Sequence, residues 1–167
     1  MAERREQTAL DEVLTRIGQV VMLHHAGDRE EARGRFLDLW TEIGEDGDPL
    51  HRCTLAHYLA DTQDDPEDEL AWDLRALAAV RELPDGDPRG VPGFFPSLHL
   101  NLAADYVKLG RTEAARTHLD HARTTADALA DDGYGEEVRA AIGRLELRLE
   151  EGPSGGGPWG PPRQRPS

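Results

Sequence analysis

The chain has 167 residues, with 33 acidic and 19 basic side chains and a formal net charge of −14. Such a chain repels polyphosphates and anionic lipid surfaces, so we expect no nucleic-acid or membrane binding and favour a basic partner. No apolar run approaches the roughly 20 residues needed to cross a bilayer, and the charged residues 1–6 do not resemble a signal peptide. Cys53 is the single cysteine, which excludes an internal disulfide, and we expect a cytoplasmic protein.

Apolar residues recur at spacings of three and four over residues 9–151, which predicts an all-α fold. The predicted helices run from Thr8 to about His25, from Asp28 to Ile43, from Asp48 to about Leu59, from Asp65 to Val80, from Ser97 to Leu109, from Thr112 towards Leu129, and from about Glu136 to Glu151. Outside them we expect a flexible N-terminus over 1–8, a loop over 84–96 with Phe94 and Phe95 folded onto the core, and a disordered Gly/Pro-rich tail over 152–167.

Helix starts are indicated by aspartates. Asp48 and Asp65 each precede a proline, and Asp28 is followed three residues later by Glu31, so all three are predicted to cap the helices that follow them. Apolar stripes are expected on the first and last helices, formed by Leu10, Leu14, Ile17 and Val21 and by Val138, Ile142, Leu145 and Leu149. Trp40 and Trp72 are expected in the core.

Residues 102–122 carry an ordered pattern of large, small and aromatic residues. It consists of Leu102, Ala103, Ala104, Asp105 and Tyr106, then Gly110, Ala114, Ala115, Leu119 and Ala122. Small residues let two helices approach closely, large ones fill the space between them, and glycine adopts the left-handed conformation that closes the turn. The pattern resembles one tetratricopeptide repeat, a hairpin of two helices, and the chain is similar to small actinobacterial proteins of that class. The resemblance implies an α-solenoid of three helix pairs over residues 9–151, with the seventh helix as a C-terminal cap.

The two earlier pairs repeat this pattern in part. Gly27 is followed at +5 by Ala32 and at +9 by Phe36, the offsets at which Ala115 and Leu119 follow Gly110. The second pair matches at Leu55 and Ala56, but its turn lacks glycine. Three residues occupy the early first-helix position where the family has tryptophan: Arg16, Arg52 and His99. The interval from the second pair to the third also exceeds the 34-residue family period by 13 residues, which fall largely in the loop over 84–96.

In such arrays the first helix of each pair lines a concave groove that binds a peptide or a helix of another protein. The register implies that this partner-binding groove presents His24, His25, Cys53, His57, Asp61, Ser97, Asn101, Ala104, Val107 and Lys108. Its expected apolar floor consists of Leu14, Ile17, Val21, Leu50 and Leu100. We therefore predict a non-enzymatic adaptor or scaffold without a cofactor, and a capping helix that fills the groove is the alternative.

A second class of function is a metal or small-ligand sensor. Cys53 and His57 are four residues apart on one helix face, Asp61 continues that face, and His24 lies on the first helix, so these four side chains offer N, S and O ligands. A small catalytic helical protein is a third class, and no motif supports it.

Two patterns in the tail match functional motifs by chance. Residues 152–156 match the nucleophile-elbow letters and residues 155–160 match Gly-x-Gly-x-x-Gly, but both motifs require a strand and a helix beside them. His118 and His121, three residues apart on the sixth helix, are predicted to be solvated surface residues.

Overall fold

The computed structural model describes residues 2–83, 94–127 and 133–151, and its regular structure within these ranges is entirely helical. The helices are α1 (Ala2–His25), α2 (Arg29–Ile43), α3 (Pro49–Asp61), α4 (Pro66–Val80), α5 (Phe94–Lys108), α6 (Thr112–Ala126) and α7 (Gly133–Glu151). The all-α prediction is confirmed for the described residues. The predicted tail over 152–167, most of the predicted loop over 84–96 and the predicted end of the sixth helix at Leu129 lie outside them.

Three helices begin earlier than predicted. α1 already covers residues 2–8, expected to be a flexible N-terminus, because alanine, glutamate, arginine and glutamine are strong helix formers. α5 begins at Phe94, so Phe94 and Phe95 are helical and not part of a loop. Pro96 is tolerated there because the first four N–H groups of a helix have no intrahelical acceptor. α7 begins at Gly133 instead of Glu136.

Two of the three predicted aspartate caps are confirmed. Asp48 accepts hydrogen bonds from the N–H groups of Leu50 and His51, and Asp65 accepts one from Glu67 N–H. Asp28 precedes α2 but its side chain makes no capping hydrogen bond. Its ψ of 60° departs from the extended backbone that directs a capping side chain over the first turn, whereas ψ is 128° at Asp48 and 125° at Asp65.

This difference between the aspartates predicts a difference in stability. We expect Asp48→Ala to lower the free energy of unfolding by about 1 kcal/mol, because two backbone N–H groups at the start of α3 lose their acceptor. Asp28→Ala is the matched control and should cost about half as much or less, since only the interaction with the helix dipole is lost. Urea denaturation of both variants measures the two values, and equal losses would contradict the assignment.

The chain divides into two compact units, Met1–Arg89 and Gly90–Ser167. The boundary lies in the Pro- and Gly-rich segment that holds the extra residues between the second and third pairs. In the first unit α1 packs against α2, α3 packs against α4, and α3 also contacts both α2 and α1. In the second unit α5 packs against α6, and α7 contacts both of them. Each unit therefore contains a helix pair followed by a helix that packs against both members.

The first unit is built around Phe36 and Leu59, both fully buried. Its core cluster consists of Ile17, Val20, Ala32, Phe36, Leu39, Leu55 and Leu59. Trp40 and Trp72 pack against the cluster as partly buried residues, with ring centroids 5.1 Å apart in an edge-to-face arrangement. The buried face of α1 is centred on Ile17 and Val20, which leaves Leu14 41% exposed. Ile17 was predicted to be part of the groove floor but is 2% exposed.

The core of the second unit joins three helices. Its cluster consists of Ala103, Leu119, Ala122, Ala126, Val138, Ile142 and Leu145. Leu149 packs against this cluster, so the predicted apolar stripe of α7 is confirmed. Among the described residues, no helix combines the length and the apolar character that crossing a bilayer requires.

The turns at Gly27 and Gly110 have the same backbone structure. Both glycines have positive φ, 101° and 72°, which residues with a Cβ rarely adopt. In each turn the glycine N–H donates to the carbonyl three residues earlier, and the next N–H donates to the carbonyl five residues before it. These bonds are Gly27 to His24 and Asp28 to Leu23 in one turn, and Gly110 to Val107 and Arg111 to Tyr106 in the other.

The residues that follow these turns are also buried alike. Ala32 and Ala115, five residues after their glycines, are both 0% exposed. Phe36 and Leu119, nine residues after them, are 0% and 4% exposed. The small residue permits the close approach of the helices and the large one fills the space beside it, so the offsets +5 and +9 correspond to equivalent places in the two units.

Two arginines from the same predicted repeat position connect the helices of their pairs. Arg16 on α1 makes a bidentate ion pair with Glu42 at the end of α2, with distances of 2.8 Å and 2.7 Å. Arg52 on α3 pairs with Glu82, just after α4. The hydrogen bond from Arg16 holds the pKa of Glu42 below its ordinary value. The Arg16–Glu42 pair is exposed on both sides, at 48% and 57%, and pairs of this kind contribute little stability.

Candidate functional site

Four predicted groove residues lie on α1 and α3 of the first unit with part of their surface in solvent. His24 is half-buried and His25 is exposed, with ring centroids 6.1 Å apart at the end of α1. His57 is half-buried and Asp61 is exposed on α3. The structure thus leaves polar side chains at the surface of both first helices of this unit.

Cys53 does not belong to that surface. It is 1% exposed on α3, a helix that also buries His51, Leu55, Ala56, Leu59 and Ala60. Burial raises the pKa of the Cys53 thiol to about 12, and the Asp73 carboxylate adds to the effect. A partner in an open groove cannot reach a side chain this deeply buried. This corrects the assignment of Cys53 to the groove surface.

His57 is directed towards α4 as well as towards solvent. Its Nδ1 lies 3.9 Å from Oδ1 of Asp73, a carboxylate that is 3% exposed. This distance is too long for a hydrogen bond but short enough for an ion pair when the imidazole is protonated. One third of the His57 side chain, 34%, stays accessible. A partner can therefore contact only this exposed third of the His57 side chain.

In the second unit, two of the predicted groove residues are covered by the chain itself. Ala104 and Val107 pack as partly buried residues against the cluster that includes α7, and so does the predicted floor residue Leu100. These three residues of α5 therefore pack on the core of the second unit, as expected if the groove is filled and not open. Ser97, Asn101 and Lys108 are half-buried.

A line of exposed residues on α1 was missed by the sequence analysis. Leu14 and Met22 are 41% and 73% exposed, and Gly18 between them has open space above its Cα atom. The i, i+4, i+8 spacing places these three residues on one side of α1, and His25 continues the line. We call Leu14, Gly18, Met22 and His25 the α1 outer line. Leu14 and His25 were predicted to lie in the groove, whereas Gly18 and Met22 were assigned to no surface.

A cluster of imidazoles in the second unit was also missed. His99 on α5 is 3% exposed, and its Nδ1 lies 3.0 Å from Nδ1 of His118 on α6. The His121 ring lies 5.0 Å from His99 and 6.3 Å from His118 between centroids, and the Tyr106 ring is stacked on His118 at 5.5 Å. His118 is thus half-buried and in contact with α5, which corrects the prediction of a solvated surface residue. The sequence contained one usable signal for this cluster, His99. We had noted that residue only because it stands where the tetratricopeptide family has tryptophan.

Comparisons with known proteins add no relative to this description. No family model matches the chain, and neither the curated proteins nor the solved structures yield a significant match.

Proposed function

We propose that the chain is a non-enzymatic, tetratricopeptide-like interaction module that binds a helix or peptide of a partner protein on the α1 outer line. The observation that supports the repeat assignment best is the pair of matching turns at Gly27 and Gly110, with equal hydrogen bonds and equally buried residues at +5 and +9. Modules of stacked helix pairs generally use the face of their first helices to bind other proteins. α1 is the first helix of the first pair.

The α1 outer line has the chemistry of a surface for an amphipathic helix. Met22 supplies an adaptable apolar contact, and Leu14 supplies a second one two turns away. Gly18 lacks a side chain between them, which permits close approach of a partner's backbone or of one of its large side chains. Because apolar anchors supply most of the binding energy at such surfaces, Met22 and Leu14 are the proposed anchors.

Charge favours a basic partner segment. The chain carries a net charge of −14, so a segment rich in lysine or arginine associates with it faster and more selectively than an acidic one. His25 and Asp61 are exposed on the two first helices of this unit and offer polar contacts that can fix the direction of the segment. We propose no cofactor for this function and place it in the cytoplasm.

The metal-sensor alternative of the first unit is less well supported. Of His24, Cys53, His57 and Asp61, the thiol is buried with a pKa raised to about 12, and His57 is directed partly towards Asp73. A transition-metal site needs ligands that converge on one point, and among the described residues these four side chains do not form such a group.

Affinity capture with matched variants tests the proposed surface. The full chain is immobilised and used to capture partners from the cells that naturally contain it. The variant Met22→Glu is tested in the same way. The control is Leu147→Glu, which places the same charge at a residue that is 59% exposed on α7. We expect one partner protein to bind the unmodified chain and the control, and to bind Met22→Glu at least about 30-fold more weakly, the loss typical of a hot-spot anchor. Equal binding by all three chains would refute the proposed surface.

A further inference from the structure

We propose that His99, His118 and His121 form a binding site for a divalent transition-metal ion. This inference is independent of the proposed partner surface, since all three imidazoles lie on α5 and α6 of the second unit. It concerns residues that the predicted groove and the predicted sensor site did not include.

The distance between His99 and His118 fits two ligands of one metal ion. Their Nδ1 atoms are 3.0 Å apart while their ring centroids are 5.3 Å apart, so each Nδ1 is the atom of its ring that is directed at the other ring. Two nitrogens bound to a tetrahedral metal at about 2.0–2.1 Å are separated by about 3.3 Å. Binding therefore requires each ring to turn so that its Nδ1 lone pair leaves the line between the two nitrogens, by roughly 35° for a tetrahedral ion, and requires the nitrogens to separate slightly.

When both imidazoles are neutral, binding through both Nδ1 atoms requires only that one proton moves within one ring. In a hydrogen bond between two neutral imidazoles, one Nδ1 donates and the other accepts. Metal binding through both Nδ1 atoms moves the proton of the donating ring from Nδ1 to Nε2, and no proton is released from the neutral pair. The change is a tautomer switch in one ring.

His121 supplies the third nitrogen and the route from solvent. It is exposed, it lies one helical turn from His118 on α6, and its ring is 5.0 Å from that of His99. Because it is farther from His118, at 6.3 Å, its side chain has to turn towards the pair to complete the site. Three histidines leave a fourth tetrahedral position for water.

The surrounding packing restricts the two inner rings. His99 is 3% exposed on α5, and His118 is stacked on Tyr106 with an interplanar angle of 12°. An all-imidazole set suits zinc, cobalt, nickel and copper and does not suit calcium or magnesium, which prefer oxygen ligands.

Zinc titration of the full, tag-free chain after treatment with EDTA tests the site. Calorimetry at about pH 7.5, above the ordinary histidine pKa of about 6.5, should give one Zn²⁺ per chain. His121→Ala and His118→Ala should each weaken binding by at least about tenfold. His121 is exposed, so its replacement keeps the fold, and circular dichroism verifies this for both variants. The double variant His24→Ala/His25→Ala is the matched control, because it removes two adjacent imidazoles from the first unit, and it should bind zinc like the unmodified chain.

A second probe reports the ligand atoms. Nitrogen chemical shifts of the imidazoles should show both Nδ1 atoms of His99 and His118 changing on Zn²⁺ addition, and Co²⁺ should give the visible absorption of a tetrahedral complex. Absence of stoichiometric binding would overturn the proposal. So would unchanged affinity in His118→Ala and His121→Ala, or loss of binding only in the His24→Ala/His25→Ala control.

Discussion

Phe36→Ala is expected to lower the free energy of unfolding by about 3–5 kcal/mol, the largest loss among the substitutions considered. Phe36 is 0% exposed, belongs to the core cluster of the first unit, and stacks on Tyr58 with ring centroids 5.9 Å apart. Truncation removes this contact and leaves a cavity between helices that cannot fully close. For a unit of this size the thermal midpoint should fall by at least about 12 °C.

Leu37→Ala is the matched control, because Leu37 follows Phe36 in α2 but is 39% exposed. It should cost about 1 kcal/mol or less, since only part of its side chain leaves an apolar environment. Tryptophan fluorescence during urea denaturation is a suitable measurement, as Trp40 and Trp72 both pack against the affected core. Equal losses in the two variants would contradict the assignment of Phe36 to the core.

The Cys53 thiol is expected to react at least about 1000-fold more slowly in the folded chain than in denaturant. Its pKa is raised from 9.0 to about 12, so at about pH 8 the thiolate fraction falls by about three orders of magnitude. Its 1% exposure slows the reaction further. Ellman's reagent measures this directly because the chain contains no other cysteine. A native rate within tenfold of the denatured rate would contradict both the burial and the raised pKa.

The same pKa difference predicts the sign of a pH effect. The unfolded thiol ionises near pH 9 and the folded thiol near pH 12, so the stabilisation is complete below pH 9 and decreases as the pH rises towards 12. Above pH 9 the free energy of unfolding should fall relative to that of Cys53→Ala by about 1.4 kcal/mol per pH unit. A constant difference between the two chains from pH 8 to pH 11 would contradict this assignment.

Local signals allowed much of the helical structure to be predicted from the sequence. Asp48 and Asp65 were recognised as caps because a capping aspartate before proline acts through its immediate neighbours, and Gly27 and Gly110 do have the left-handed conformation that ends a helix. Asp28 has the same residue type, yet after the turn at Gly27 its backbone has a ψ of 60° and its side chain makes no capping hydrogen bond. The side chain alone does not determine that conformation.

The candidate site was harder to predict because it depends on which side of each helix is covered. Cysteine occurs in grooves, in metal sites and in cores, so the residue type does not show where Cys53 lies. Only the packing of α3 against its neighbouring helices determines that this side chain is buried. Ile17 was assigned to the groove floor together with Leu14, but Ile17 belongs to the core cluster and Leu14 is exposed, because the buried face of α1 includes Val20. The contact between His99 and His118 joins residues 19 positions apart on two helices, and no spacing rule for a single helix finds it.

Hydrogen exchange of the chain with and without the captured partner's binding segment tests the proposed function most directly. A segment on the α1 outer line suppresses local opening of this helix, so amides in residues 12–26 should exchange at least about tenfold more slowly in the complex. The same segment added to Met22→Glu should leave exchange in α1 unchanged. Slower exchange confined to α5, α6 and α7, or equal protection of α1 in the Met22→Glu variant, would contradict the proposal that α1 binds the partner.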